Sequence, residues 1–369
     1  MNRLFRWDQM GLFLLALAAG ILPFAVPEVC VAALREGLTL CSGPLLLSLF
    51  PFLVVSRLLV QCPESDLLAL PFRLAALGIG IRTPCAARVL CIGFLGGFAP
   101  AASAAAQAVR TGQLTAEEAD ALLPACICSG PSFVVLTVGQ SLLGSAELGV
   151  LLFASQITAN YLTAALLNRF AGVRSVKPGS AVPAFPAPPR LDEILADAAI
   201  TYCKLCGFIL FFRMLAAGAG ALLPTGAGTL CAILLEVCSG CDLASRTGRW
   251  GSLLCCAALS VQGLSVLLQV RTICPPEMTL RPLYRARMLH LPLSLALFYL
   301  LLPGGEADVF STLPVRVLLM RRVPPDCALL VFAVCCMAAC TLRSGIRQVE
   351  QKQMARNAGG CCINSKTLL

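Results

Sequence analysis

Two arginines and one glutamate lie inside apolar runs of this sequence, where an ionisable side chain is costly and is a candidate for function. Arg57 and Arg213 each follow a Phe by five residues in otherwise hydrophobic runs, and Glu236 ends another such run. These charges can contact a solute, bind a proton or cation, or pair with an opposite charge. The arginines can also extend to the lipid headgroups from the ends of their helices.

Polar residues also accompany glycine in two further apolar runs. The motifs Gly130-Pro-Ser132 and Gly263-Leu-Ser265 can interrupt a helix and free backbone carbonyls and hydroxyls. Gly and Pro serve equally well for close packing between membrane helices, so both interpretations stay open. Two glutamines, about two helical turns apart, either bind a ligand or tie helices together. The candidate solute site therefore comprises Glu236, Ser132, Ser265, Gln262, Gln269, Gly130 and Gly263.

The composition predicts an integral membrane protein with the lipid bilayer as its main partner. Hydrophobic residues make up 58% of the 369 positions and charged residues 13%, whereas about 25% of residues are charged in soluble domains. Long apolar runs, without strict alternation, predict an all-α fold. The net charge of +9 lies mainly in loops and the C-terminal tail. Orientation signals and anionic lipid account for it, so nucleic acid is not a predicted partner.

The 21 cysteines are spread through the apolar runs, where a thiol behaves as a small hydrophobe. The pairs Cys203/Cys206 and Cys238/Cys241 have the spacing of a soft-metal or redox site. With so many cysteines and a single histidine, packing is the preferred interpretation, and no metal or cofactor is predicted. No catalytic constellation is evident at membrane depth, so the chain is not predicted to be an enzyme.

About eight spanning helices and two re-entrant elements are predicted. The re-entrant elements are the Gly-rich and Pro-containing run 89–108 and the run 228–240, which has Glu236 near its tip. Thr115 and Glu118 predict a capping box at the start of a helix. The spans are predicted at about 10–27, 40–60, 121–140, 146–168, 194–216, 250–270, 284–303 and 325–342.

The distribution of positive charge favours this topology. If the two re-entrant elements crossed fully, the basic linker between the halves would lie outside, against the positive-inside tendency. With re-entrant elements, the linker, the loop 271–287, both termini and most of the 28 Lys and Arg lie in the cytoplasm. Arg57 then lies near the inner end of its span and Arg213 near the outer end of its span. The two halves have opposite orientation, as in inverted-repeat transporters, whose sites form where the repeats meet.

Six segments follow from this topology. They are an N-terminal span (1–39), a first membrane repeat (40–170), a Pro-rich linker (171–190), a second membrane repeat (191–303), a loop with a final span (304–342) and a basic tail (343–369).

A series of motifs from about residue 40 to residue 300 carries a family resemblance. The motifs are Leu45 to Phe52, Gly93 to Pro100, Thr111 to Ala119, Cys126 to Phe133, Glu236 to Gly240 and Gly263 to Gln269. In this order they resemble the YlbJ-type sporulation integral membrane proteins. The resemblance implies a fold related to the nucleoside-recognition or Gate domain and a role in endospore formation, including the spore cortex. It also implies a mother-cell or outer forespore membrane location and other sporulation membrane proteins as partners.

The chain departs from the family pattern at three polar positions. They fall within Gly96 to Ala102, at Ile127 and at Leu267, where the family has polar ligand candidates and this chain does not. Nucleoside binding is therefore not transferred to this chain. Two functions remain: a permease for an unidentified small solute, and a non-transporting scaffold for sporulation proteins.

Overall fold

The computed structural model describes residues 2–61, 63–171 and 191–302, and every regular element in these ranges is helical. An all-α fold is therefore confirmed for this part of the chain. The Pro-rich linker, the predicted span 325–342 and the basic tail lie outside the described residues.

The helices are α1 (Asn2–Ala25), α2 (Pro27–Ser42), α3 (Pro44–Gln61), α4 (Leu70–Gly78), α5 (Pro84–Gly96), α6 (Phe98–Arg110), α7 (Ala116–Cys126), a π-helix (Ser132–Leu142), α8 (Ala146–Ala171), α9 (Leu191–Leu222), α10 (Thr225–Leu235), α11 (Val237–Ser245), α12 (Gly251–Val261), α13 (Gly263–Ile273) and α14 (Arg281–Leu301), with 3-10 turns at Pro63–Asp66 and Gly248–Trp250.

Three helical segments are long and apolar enough to cross a bilayer: Ala146–Ala171, Leu191–Leu222 and Gly248–Ile273. Phe13–Ala25 and Pro27–Ser42 together would make a fourth, although they meet at an angle of 110°. The bend follows from Pro27, because proline disfavours the helical conformation in the residue before it. The chain thus has the helices of a membrane-associated, all-α protein.

Two sequence predictions concern the ends of helices. The capping box is confirmed: the Glu118 N–H donates to the Thr115 hydroxyl at 3.1 Å, and the Thr115 N–H donates to the Glu118 carboxylate at 3.2 Å. One boundary was predicted wrongly. The run 40–60 was predicted as one span, but the chain breaks at Gly43, and α3 begins at Pro44. Helix α2, which precedes this break, was not predicted.

The first element predicted as broken or re-entrant is a helical hairpin. Gly97, with a φ of 81°, separates α5 from α6. A methyl group on Gly93 would lie 3.2 Å from the Cβ atom of Ala101. In a continuous helix, residues eight positions apart are about 12 Å apart. Helix α6 therefore folds back along α5.

The second element predicted as broken or re-entrant is also a hairpin, formed by α10 and α11. Glu236 adopts an extended conformation between them, with a φ of −152°. A methyl group on Gly240 would lie 2.8 Å from the Cα atom of Ile233. The two short helices are therefore antiparallel neighbours, and Glu236 occupies the turn.

Two of the predicted spans are interrupted. The run 121–140 is divided into α7 and the π-helix by the non-helical residues 127–130. The run 250–270 is divided at Gln262, which has a left-handed φ of 62°, and Gly263 follows with a φ of 70°. Both interpretations of the Gly-x-Ser motifs apply, because the helices are interrupted there and Gly130 and Gly263 also make close backbone contacts.

Each hairpin turn packs directly against one helix break. A methyl group on Gly97 would lie 2.7 Å from the backbone nitrogen of Gly130, and one on Gly263 would lie 2.8 Å from the backbone nitrogen of Glu236. Carbon and nitrogen atoms that are not bonded stay about 3.5 Å apart or more. Only glycine fits at these two contacts, and together they connect each turn to the break in the same half of the chain.

Replacement of Gly263 by alanine is expected to destabilise the protein more than replacement of Gly248. The two glycines have similar φ values, 70° and 64°, but a methyl group on Gly248 would have nothing within 4 Å. Both variants pay the cost of left-handed backbone, and only Gly263→Ala adds a steric clash, worth about 1–3 kcal/mol. Thermal unfolding of the detergent-solubilised protein measures the difference. Equal losses in the two variants would show that the turn does not need this close contact.

Candidate functional site

The break after α7 leaves the backbone carbonyl of Ile127 without a helical partner, because the residue four positions on is Pro131, which has no N–H. Three side chains donate to this carbonyl: Nδ2 of Asn160 at 3.3 Å, Nε2 of Gln262 at 3.5 Å, and Nη2 of Arg287. They come from α8, from the break between α12 and α13, and from α14. We call Asn160, Gln262 and Arg287 the central cluster. It joins the two halves of the chain at one buried carbonyl.

Arg287 also contacts the second helix break. Its Nη1 donates to the carbonyl of Ser260 at 3.3 Å, which would bond to the N–H of Leu264 if the helix continued. The side chain is buried, with 7% of the residue exposed. Within the described residues, Nε of Arg287, Oε1 of Gln262 and Oδ1 of Asn160 have no hydrogen-bond partner. The central cluster therefore contains buried donors and acceptors that no described residue satisfies.

A second buried polar network lies beside the central cluster. Nε2 of Gln156 donates to the hydroxyl of Ser260 at 2.9 Å, and that hydroxyl is 2.5 Å from the hydroxyl of Ser294. Nε2 of His290, the single histidine, lies 3.2 Å from the backbone oxygen of Gln156. Its Nδ1 atom has no partner among the described residues. This network connects α8, α12 and α14.

Asp120 of α7 positions the start of α14. Its carboxylate accepts hydrogen bonds from the backbone and hydroxyl of Thr279, at 2.8 and 2.6 Å, and from the N–H of Leu280 at 3.1 Å. Helix α14 begins at the next residue, Arg281. Arg287 is six residues further on, about 9 Å along the axis. Asp120 is about the same distance from Ile127, measured along the axis of α7. The guanidinium of Arg287 and the carbonyl of Ile127 therefore lie at the same height along the two helices.

Glu236, the first candidate from the sequence, caps the helix that follows it. Its carboxylate accepts hydrogen bonds from the N–H of Cys238 at 2.8 Å and from the N–H and hydroxyl of Ser239 at 2.7 and 2.9 Å. Both carboxylate oxygens are used, and the residue is 2% exposed. In this structure Glu236 therefore holds the first turn of α11 and is not a member of the central cluster.

The other sequence-predicted candidates divide into two groups. Gln262 belongs to the central cluster, and Gln269 donates to the hydroxyl of Ser265 at 2.9 Å, with both residues buried on α13. Ser132 is exposed at the start of the π-helix and lies outside these contacts. The candidates from the second half of the chain, Gln262, Gly263, Ser265 and Gln269, therefore lie together at the start of α13 and along it. From the first half, Gly130 contacts the hairpin turn at Gly97, and the group that reaches the central cluster is the carbonyl of Ile127.

The twin arginines both form ion pairs. Arg57 pairs with Asp197, and Nη2 of Arg213 lies 2.8 Å from the carboxylate of Glu36. Each pair joins α9 to a neighbouring helix, α3 or α2. Structural pairing, one of the roles considered for these charges, is therefore present for both. The partner of Arg213 is Glu36 and not Glu236.

The sequence analysis missed Arg287, Asn160, Gln156 and His290 as site residues. Arg287 was assigned to the basic loop 271–287, whereas it lies inside α14 and is buried. A signal was present in the spacing of polar residues on apolar helices, which places them on one helical face. The two sets are Arg287, His290 and Ser294 on α14, and Gln156, Asn160 and Thr163 on α8.

The chain was compared with known protein families, curated proteins and solved structures. No protein-family model, curated protein or solved structure matches the chain. Among the residues that the structure describes, no group of three or more His, Cys, Asp or Glu side chains is placed to hold a metal ion.

Loss of the Glu236 carboxylate is expected to destabilise the protein. Glu236→Ala removes the cap of α11 and should lower the free energy of unfolding by about 1–2 kcal/mol. The matched control is Glu117→Ala, since Glu117 is exposed in the first turn of α7 and is not the cap. Thermal melts of the two purified variants compare them directly. If Glu236→Ala melts like the control, the carboxylate does not serve as a cap.

Proposed function

We propose that this chain is a membrane permease for a small solute, which binds where the two helix breaks face each other. The observation that carries the proposal is the contact of one buried side chain, Arg287, with backbone carbonyls of both breaks. Substrate sites of secondary transporters are typically formed by discontinuous helices near the bilayer midplane. Irregular backbone at that depth is tolerated where it is buried in protein or lines a cavity.

The proposal includes an inverted repeat. The order α3, hairpin α5–α6, broken helix α7–π and α8 recurs as α9, hairpin α10–α11, broken helix α12–α13 and α14. Two pairs of equivalent elements contact each other, α3 with α9 and α8 with α14, and the contact of α6 with α13 has its counterpart in the contact of α11 with the π-helix. Such reciprocal contacts are expected when two halves are related by a pseudo-two-fold axis.

In this proposal both hairpins are re-entrant. Helices α5 and α6 have 13 residues each, α10 has 11 and α11 has 9. Their lengths are about 14 to 20 Å, less than the hydrocarbon thickness of about 30 Å. Each hairpin would enter the bilayer from one side and return to the same side. The turns at Gly97 and Glu236 would then lie at depth, against the helix breaks.

The cellular role that we propose comes from the resemblance to YlbJ-type proteins. It is a contribution to endospore formation in the mother-cell or outer forespore membrane, with the termini in the cytoplasm. The proposal involves no catalytic step and no cofactor. The partners are the bilayer and the solute, with other sporulation membrane proteins in the scaffold alternative.

A comparison of solutes in cells and medium tests transport. Cells that produce the protein should differ from cells without it in the distribution of at least one solute, measured by mass spectrometry. Gln262→Asn shortens the amide, yet asparagine tolerates the left-handed backbone. Loss of its hydrogen bond to the Ile127 carbonyl, which is long at 3.5 Å, should reduce the change by about two- to three-fold, since a weak bond contributes about 0.5 kcal/mol.

The matched control is Gln140→Asn, because Gln140 is exposed in the π-helix. It should leave the solute distribution as in wild type at equal protein abundance. If cells with and without the wild-type protein have the same solute distribution, the permease proposal is wrong and the scaffold is favoured.

A further inference from the structure

Arg287 is a buried cation that makes no ion pair within the described residues. Three other arginines that are wholly or largely buried each contact a carboxylate. They form the pairs Arg57–Asp197, Arg88–Asp66 and Arg213–Glu36. A buried charge without a counter-ion is strongly unfavourable, and two backbone carbonyls compensate it only in part. In the described part of the chain, the Nε–H group of Arg287 is unpartnered, but so are those of Arg57 and Arg213, and the missing carboxylate is what distinguishes Arg287. Its guanidinium has five N–H donors and therefore retains some for an anion.

A cavity with excess positive charge lies near the C-terminal ends of α3, α6 and α13. Its volume is about 170 Å³, and its charged lining is Arg57, Arg110, Lys204 and the single carboxylate Asp197. We call this cavity the basic mouth. It lies between α3, α6, α9 and α13, where the two halves meet. Three cations and one anion attract a negatively charged solute and repel a positive one.

A row of polar side chains on α13 leads from the central cluster to the basic mouth. Ser265, Gln269 and Thr272 are three or four residues apart and therefore share one face of α13, and Gln262 lies at the break where this helix begins. Thr272 lines the mouth. Oε1 of Gln269 is buried and has no partner within the described residues. The two positively charged regions are thus connected by hydrogen-bonding groups.

We propose that the solute of this permease is a small oxyanion, a carboxylate or a phosphate, which enters through the basic mouth and pairs with Arg287. The inference rests on the proposed function and adds the chemical class of the solute. Guanidinium groups bind carboxylate and phosphate through two parallel N–H donors. The two carbonyls use one N–H of each terminal nitrogen of Arg287, so its Nε–H and the other terminal N–H groups remain for such a bond. The oxyanion supplies the counter-ion that the described chain lacks.

Thermal unfolding of the purified, full-length protein in detergent tests the charge of the solute. The probes are sodium succinate and sodium phosphate as oxyanions, erythritol as a neutral solute and putrescine as a cation, all at equal ionic strength. A ligand that binds only the folded state raises the melting temperature. We expect a rise of at least about 2 °C with one of the oxyanions. Which oxyanion acts distinguishes a carboxylate from a phosphate.

Variants on one helix locate the site. Arg287→Gln should abolish the oxyanion-dependent rise, and Arg287→Lys should retain part of it, because lysine keeps the charge and loses the fork. Arg285→Gln is the matched control, since Arg285 is exposed two residues earlier on α14. It should melt and respond like wild type. If Arg287→Gln does not fold, the response of Arg287→Lys and the selectivity of the wild-type protein still decide the question.

The basic mouth gives an independent test. The double variant Arg110→Gln/Lys204→Gln removes two exposed charges of the basic mouth that are not members of the central cluster. It should need about two- to three-fold more oxyanion for half of the maximal rise, because screened charges near the path contribute modestly. Arg249→Gln, an exposed charge in the turn before α12, should have no effect.

The outcomes separate this inference from the permease proposal. If neither oxyanion raises the melting temperature, or if the rise persists in Arg287→Gln, the oxyanion inference is wrong, and transport of another solute still stands. If erythritol or putrescine acts instead, the solute class is neutral or cationic. An unchanged solute distribution in cells would refute transport whatever the binding result.

Discussion

The fold depends on a constraint at one backbone carbonyl. Proline at position 131 removes the N–H that would satisfy the buried carbonyl of Ile127, so this carbonyl needs donors from other segments. An unpaired buried carbonyl would cost about 1–3 kcal/mol. Asn160, Gln262 and Arg287 supply the missing donors from three other segments. Satisfying one local defect therefore brings α8, α14 and the second helix break together.

The hairpins follow from the same constraint. A helix break inside an apolar protein needs a cover that approaches the backbone closely, and glycine allows this approach, on the hairpin turn in the first half of the chain and at the helix break in the second half. Gly97 lies against Gly130, and Gly263 lies against Glu236, at distances where a methyl group does not fit. The contacts that close the breaks are thus backbone to backbone. Stability and the candidate site are products of the same few residues.

The buried charged side chains differ in whether the described chain supplies their partners. Glu236 satisfies three donors of its own helix, and Arg57 and Arg213 have carboxylate partners. These groups stabilise helices and helix pairs. Arg287 differs because its hydrogen bonds reach only carbonyls, so its positive charge is not neutralised within the described chain. Arg287, between the two helix breaks, is therefore a stronger candidate for a functional residue than Glu236 in the turn of the second hairpin.

The sequence by itself determined the elements whose causes are local. Apolar runs predicted helices, Thr115 with Glu118 predicted a cap, and the glycine-rich runs predicted that two elements would break, because propensity and periodicity act over a few residues. Only the tertiary structure decided which polar groups meet. Arg287 follows two other arginines on α14, so its local composition resembles a basic loop, and its burial depends on helices far away in the chain. Hydrogen-bond partners more than a hundred residues apart leave no local pattern, because the break that needs a donor and the side chain that supplies it are brought together only by packing.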